Sequence, residues 1–344
     1  MKRNVIFILA GIILLCLIYV TSELLVPFPF VSKEIKIAKG ATFRQAVEIL
    51  SREGLIRDKN LFLFIGRISG LDRKIKAGYY SIHGSMSPLD IFKMLKKGQI
   101  IEYEIKIVEG DSLREIAEKL SEKGIIDKED FMKLSSNKDF LALYDIDAPT
   151  FEGYLFPDTY RIPKGMDPVD AISMMMSKMR EKYSGELMEK TYELSLSERE
   201  VLTLASIIEK EAVTDEERPL ISAVYHNRLR KGIPLQADPT SIYGIKGSRE
   251  KITERDLRRR TPYNTYIIKG LPPGPIASPG IKSIIAALYP ADVPYIYFVS
   301  NNDGSHHFSV TPEEHLSAVK SYRKKKNVKN KEEIKEVTEK NGSS

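Results

Sequence analysis

The sequence predicts an α+β protein with one N-terminal transmembrane helix, a duplicated α/β region and a mixed α+β domain with a groove. Three observations lead there. An uncharged apolar run follows Lys2 and Arg3; residues 35–61 recur at 105–131; and beyond Phe151 capped helical stripes alternate with short strand patterns and Pro/Gly-rich loops.

Val5 to Ser22 is free of charge. At about 1.5 Å per residue it is just long enough to cross a bilayer core. The basic pair ahead of it places residues 1–4 in the cytoplasm and everything after the anchor outside, by the positive-inside rule. Val20-Thr21-Ser22 would also serve as a signal-peptide cleavage site. Leu24-Leu25-Val26 continues the apolar character and favours a retained anchor, residues 5–22. Cys16, inside that run, is the only cysteine, so no intrachain disulfide forms. The net charge of +6 resides at the two ends: Lys2 and Arg3, and a tail (323–344) with eight Lys/Arg against four Glu. A neutral body argues against nucleic acid as a partner. The tail, almost without large apolar residues, is expected to be disordered.

Within residues 33–149 the repeat keeps ten of 27 positions identical, among them Gly40/Gly110, Arg44/Arg114 and Gly54/Gly124. Each copy reads as a strand, a glycine turn and a capped amphipathic helix closed by a C′ glycine. Leu113, Ile116, Ala117 and Leu120 form the apolar face of the second helix. Between the copies, Ala77–Ser81 reads as a strand and Ser87 caps a helix to about Lys97.

From 150 to 322 the texture changes. Phe151–Tyr160 alternates like a strand or extended loop. A helix over 168–183 turns Met174, Met175 and Met179 to a core. The next helix, Ser197–Ala212, opens with a Ser197/Glu200 capping box and carries the stripe Val201, Leu204, Ala205, Ile208, Ala212. Glu209 sits beside the stripe, one residue after Ile208. A carboxyl there is either drawn partly out of water, where desolvation favours its protonated form, or belongs to a surface run, Glu209-Lys210-Glu211. Glu211 points about 200° around the helix, so the two acids face different surroundings. A further helix spans about 216–231, with Leu220, Ile221, Val224 and Leu229 inward and Gly232 as its stop. Residues 234–244 read as a loop, and Gly270–Gly280 as stiff, turn-rich chain lining a groove. Residues 281–288 read as a helix, 295–299 as a buried strand and 304–309 as its return.

The five histidines include no His-Glu-x-x-His pattern and have no cysteine partner, so no metal is expected. Gly-x-Ser-x-Gly, Gly-x-Gly-x-x-Gly and Walker loops are all missing, which removes serine-hydrolase and nucleotide chemistry and leaves no expected cofactor. Acid–base chemistry by carboxylates among Tyr, Asn and Gln remains, a composition suited to sugars.

Val108-Glu-Gly-Asp-Ser-Leu-Arg-Glu-Ile-Ala117 resembles the opening of a LysM glycan-binding module, and Ala38–Val47 does so more weakly. A duplicated structural unit without sugar affinity fits the same pattern. Phe151–Tyr160, Ala205-Ser-Ile-Ile-Glu-Lys-Glu-Ala212, Leu235-Gln-Ala-Asp-Pro-Thr240, and Tyr263-Asn-Thr-Tyr266 with Gly270-Leu-Pro-Pro-Gly-Pro-Ile276 together resemble the endolytic murein transglycosylase (YceG-like) family, in order, from the anchor to about residue 320. The resemblance implies a carbon–oxygen lyase acting outside the cell membrane on the glycan strands of peptidoglycan. It would cleave between N-acetylmuramic acid and N-acetylglucosamine without water, leaving 1,6-anhydro ends. It places the single catalytic glutamate on Glu209, general acid and then base. It also suggests Glu152, Gln236, Asp238 and Asn264 as substrate contacts, and peptidoglycan synthases as partners. A turn cap at Asp238 and a loop clasp at Asn264 fit the same residues. Two other readings stay open: a hydrolytic muramidase, and a non-catalytic glycan tether for a synthase.

Overall fold

A computed structural model describes residues 2–27, 32–71, 75–247, 250–301 and 303–321. The tail 323–344 lies outside the described residues. Helix α1 (Lys2–Leu25) is long and apolar enough to cross a membrane. Its apolar side chains, Phe7, Leu14 and Leu15 among them, are exposed.

By packing, the described chain forms two compact units, one of Met1–Ile105, Glu122–Ile126 and Tyr160–Asp167, the other of Lys106–Ser121, Asp127–Thr159 and Pro168–Ser344. The sequence boundary at 149/150 follows chain order instead. In the first unit β1 (Lys33–Ile37), α2 (Phe43–Arg52), α3 (Lys59–Ile68), β2 (Gly78–Ile82) and α4 (Pro88–Lys97) surround one core. Strands β1 and β2 pair antiparallel, with Ile35 opposite Tyr80, so alternate residues Ile35 and Ile37 turn inward. Capping boxes open α2 (Thr42/Gln45) and α4 (Ser87/Asp90). Phe43, Phe62 and Phe92 pack ring to ring between the helices.

The second copy of the repeat starts in the same way: β3 (Glu102–Lys106), α5 (Leu113–Glu122) and α6 (Lys128–Ser135), then α7 (Lys138–Ala142) and β4 (Thr159–Pro163), which pairs with β3. Both copies thus open with a strand and two helices and close with a return strand, the second inserting α7 before its return strand. Gly54 and Gly124 have φ of 70° and 63°, the left-handed stop predicted for each helix.

The second unit continues with α8 (Pro168–Lys182), α9 (Glu186–Glu193), α10 (Glu198–Glu211), α11 (Arg218–Arg230), α12 (Asp238–Ile242), α13 (Glu254–Leu257), α14 (Ile281–Leu288), β5 (Tyr297–Ser300) and β6 (His306–Ser309). Helix α10 is its centre. The Ser197/Glu200 capping box is present, and Val201 to Ile208 are buried without interruption. A helix apolar on one stripe becomes buried on every side because α9, α11, α12 and α14 all pack on it. Its two buried hydroxyls are satisfied locally: Thr203 Oγ1 donates to Arg199 O (2.6 Å) and Ser206 Oγ to Thr203 O (2.7 Å).

Four local expectations change. Phe151–Leu155 forms turns, neither a strand nor an extended loop, because Phe151, Tyr154 and Leu155 all enter the core and only Thr159 onward finds a strand partner. In α8 Met176 is buried and Met174 half-buried, so the face is rotated from the predicted one. Residues 234–244 include the short helix α12, nucleated by Pro239 in its first turn. Strand β5 pairs with β6 as predicted, yet it is half-buried, as befits a two-stranded ribbon.

Candidate active site

Glu209 lies in the last turn of α10, where the helix leaves the core. Its Oε1 accepts from Arg218 Nη1 at 3.0 Å and its Oε2 from the Gly280 backbone N–H at 2.9 Å. The side chains of Glu209 and Arg218 are only 6% and 9% exposed, so this is an enclosed ion pair. Arg218, at the start of α11, is itself fixed by Asp215 (3.0 Å) and by the Ser283 hydroxyl. Its neighbour Glu217 accepts from His306 N at 2.7 Å and lies 2.6 Å from His306 Nδ1, so adjacent residues tie α11 to α10 and to β6. The apolar stripe brought Glu209 to the edge of the core as expected. The guanidinium waiting there, nine residues on, had no signature in spacing.

A second carboxyl shares this place. The turn after β3 is bonded to the segment before α14: Gly110 N donates to Ser278 O and Ser278 N to Asp111 O, both at 2.8 Å. Lys210 Nζ donates to Gly110 O at 3.2 Å, and Asp111 Oδ2 closes the turn on Val108 N at 2.7 Å. Glu109, at the tip, lies against Gly280: a Cβ built on that glycine would stand 2.0 Å from Glu109 Oε1. Gly280 has an ordinary extended φ of −74°, so it is glycine for space and not for conformation. Partial burial, then the charge of Glu209, pushes the Glu109 carboxyl up from its ordinary range. The sequence held a signal for it. At the matching position of the first copy stands Lys39, so the repeat changes charge sign at the tip of its turn.

The other predicted residues fall in three places. Glu152 is 3% exposed; its Oε1 accepts from Leu113 N (2.9 Å) at the start of α5 and its Oε2 from the Tyr243 hydroxyl (2.9 Å). Burial pushes its carboxyl up to about 7. Asn264 is fully buried, with Nδ2 directed at the carbonyls of Asp256 (3.3 Å), Leu257 (3.0 Å) and Arg259 (2.7 Å). It holds a loop. Asn264→Ala should lower stability by about 1–3 kcal/mol, since it strands buried carbonyls, and urea unfolding would read this out.

Gln236 and Asp238 are exposed and belong together. Gln236 N donates to Thr265 O (3.1 Å), its Oε1 accepts from Arg228 (3.1 Å), and Asp238 Oδ1 accepts from the Tyr266 hydroxyl (2.5 Å). Gln236 holds this position at a φ of 51°. Glu211 turns toward this group and away from Glu209, as the helical angle requires: burial, then the Asp238 charge, pushes its carboxyl up to about 8. The bonds of Glu209 run to neither pair. The predicted groove is present along the first part of the 270–280 segment, where Gly270, Leu271, Pro272 and Pro273 line an open cleft with Pro149, Arg199 and Thr203. Residues 274–280 are buried instead, anchored by Ile276 N to Ser206 Oγ at 3.0 Å.

Glu152 and Glu211 carry a pH signature. Each has a folded-state pKa above the ordinary carboxylate value, so the folded protein holds more protons than the unfolded chain between about 4.5 and 8. Stability should fall as pH rises through that window. Glu152→Gln keeps the volume and an acceptor for Leu113, so it should flatten the part of the slope below pH 7. Thermal melts from pH 5 to 8 test this, and an unchanged slope would exclude Glu152 as its source.

A model of the YceG-like family matches residues 35–321. The chain belongs to the YceG-like family. The match includes both copies of the repeat and the whole of the Glu209 site. The endolytic murein transglycosylase of Bacillus subtilis (strain 168) is 30% identical over 310 residues, 86% of each chain. That of Streptococcus pneumoniae serotype 2 (strain D39 / NCTC 7466) is 28% identical over 316 residues, which cover 82% of this chain and 56% of that protein. The crystal structure of a YceG-like protein from Listeria monocytogenes superposes with a TM-score of 0.59 at 31% identity, over 83% of this chain and 99% of that one. Among the described residues no group of three or more His, Cys, Asp or Glu is placed to hold a metal ion.

Proposed function

We propose that this YceG-like chain is an endolytic transglycosylase of peptidoglycan, held in the cell membrane by α1 with its two compact units outside. It cleaves the bond between N-acetylmuramic acid and N-acetylglucosamine without adding water, as the muramyl C6 hydroxyl attacks its own anomeric carbon. The observation that carries the reading is Glu209: a nearly enclosed carboxylate at the exit of the central helix, fixed by a guanidinium and a backbone N–H, in a chain whose relatives are named endolytic murein transglycosylases. Glu209 supplies acid and then base catalysis. A carboxylate has about four lone-pair sites, so the two donors on Glu209 leave room to accept the hydroxyl proton. Exposed Gln236 and Asp238, with half-buried Tyr266 bonded to Asp238, offer amide, carboxylate and phenol to sugar hydroxyls. The duplicated strand–helix–helix segments serve as LysM-like glycan holders, and peptidoglycan synthases are the expected partners.

Digestion of uncrosslinked glycan strands by wild type and Glu209→Gln, with products read by mass spectrometry, tests the reading. Anhydro-muramyl ends from the wild type alone support it. Reducing ends, heavier by one water, would make the chain a muramidase. Sacculus binding with unchanged strand length would make it a tether.

A further inference from the structure

We propose that α3 and α4 of the first compact unit form a docking face for the surface of the membrane that α1 spans, with Phe64 and Ile68 entering among anionic lipid headgroups. The inference rests on α1 as a membrane anchor and is independent of the chemistry at Glu209.

The neutral body of the chain is divided. Residues 27–105 hold 14 Lys/Arg against eight Asp/Glu, whereas residues 106–322 hold 29 against 34. The basic part is the part that α1 carries. Tyr19 stands one turn before Glu23, the first charge beyond the apolar run, at the level where a bilayer passes into its headgroups and tyrosine is favoured. Its hydroxyl donates to Asp58 Oδ2 at 2.7 Å, and Arg57 Nη1 donates to Ser22 O and Val26 O, both at 3.3 Å. Asp58 is the N-cap of α3, and α4 packs on α1 as well. The outer end of α1 thus holds both helices at the membrane surface, all within one compact unit. At about 1.5 Å per residue, Ile68 lies no more than about 15 Å along α3 from Asp58.

Phe62 and Gly66 turn α3 toward the core, and a Cβ on Gly66 would collide with the Phe43 ring, which fixes the rotation of the helix. Phe64 and Ile68, one turn apart on the other side, are left 62% and 71% exposed. Large apolar side chains scattered singly are ordinary on a surface, and an adjacent pair marks a place of contact. Helix α3 has no acidic residue, and Lys59 and Arg67 flank the pair. On α4, Lys93, Lys96 and Lys97 are exposed, while its one acid, Asp90, accepts from the Ser87 hydroxyl at the helix's own start. An apolar pair rimmed by cations suits the boundary between acyl chains and anionic headgroups. The repeat supplies an internal comparison. At the same offset of 70, the second copy has Glu129, Leu134, Asn137 and Lys138 in place of Lys59, Phe64, Arg67 and Ile68, and the pattern is gone.

The chain has no tryptophan, so a single one introduced is an unambiguous probe. Full-length Phe64→Trp, Ile68→Trp, Tyr79→Trp and Leu15→Trp proteins, each checked by thermal melt, are reconstituted in phosphatidylcholine vesicles with or without phosphatidylglycerol, and brominated lipid serves as quencher. Tyr79 lies on the outer side of β2, and Leu15 lies inside the anchor. With anionic lipid, Phe64→Trp and Ile68→Trp should show blue-shifted emission and lose most of it to the brominated lipid, while Tyr79→Trp is unquenched. Omitting the anionic lipid, or adding Lys93→Glu, Lys96→Glu and Lys97→Glu to Phe64→Trp, should weaken the quenching. Unquenched, water-like emission from Phe64→Trp and Ile68→Trp would overturn the proposal. So would equal quenching of Tyr79→Trp, or quenching indifferent to lipid charge. A shift of Phe64→Trp emission by glycan strands and not by vesicles would give the face to glycan and overturn it as well. An unquenched Leu15→Trp would instead overturn the anchor itself.

Discussion

Glu209→Gln is expected to lower the rate of anhydro-end release by about 10²–10⁴-fold, the usual contribution of a positioned acid–base group. Glutamine is the informative replacement. Its carbonyl oxygen can still accept from Gly280 N–H or Arg218, and its volume matches, so the end of α10 keeps its packing. What it cannot do is take a proton from the C6 hydroxyl near neutral pH. Glycan binding should survive, because Gln236, Asp238 and Tyr266 do not depend on bonds to Glu209. The assay is strand cleavage scored by anhydro-muramyl ends, beside sacculus pull-down. Full activity in Glu209→Gln would remove Glu209 from the mechanism.

Arg218→Leu is expected to be the most destabilising single change at the site, by about 3–5 kcal/mol, the range for breaking one side of a buried ion pair. Leucine deletes the donor to Glu209, the bond to Asp215 and the bond to the Ser283 hydroxyl, and it leaves the Glu209 carboxylate enclosed without a counter-charge. The double variant Glu209→Gln/Arg218→Leu should therefore be less destabilised than the sum of the two singles, since the stranded charge is gone. Urea midpoints of the four proteins measure the coupling. Strict additivity would mean that the pair contributes nothing as a pair.

Local patterns in the sequence were reliable where the physics is local. Capping at Ser87 and Ser197, the left-handed glycines after the repeat helices and the stripe of α10 depend on neighbours within a few residues, and the structure has all of them. Expectations failed where burial was decided from a distance. Phe151–Leu155 has strand composition, but its aromatics are worth more in a core than in a ladder without a partner strand. The 274–280 segment looked like groove lining and is buried, because Ser206 on α10 accepts its Ile276 N–H and the 108–111 turn clasps it at Ser278. The resemblance suggests Asn264 and Glu152 as substrate contacts, with a loop-holding role equally open for Asn264, and in the structure both are buried and bonded within the protein. Nothing local says that the three carbonyls around Asn264 or the helix start above Glu152 would claim their bonds.

The sequence by itself determined the apolar N-terminal helix, the duplicated unit, the helix that carries Glu209 and the family. These follow from periodicity, composition and ordered motifs, which are properties of short stretches. Tertiary structure alone decided what stands beside Glu209. Arg218, Gly280 and Glu109 come from three other segments, and they meet only because α11, the start of α14 and the turn after β3 close on the end of α10. The charge state of a carboxyl depends on what lies within a few ångströms in space, and chain separation carries almost no record of that.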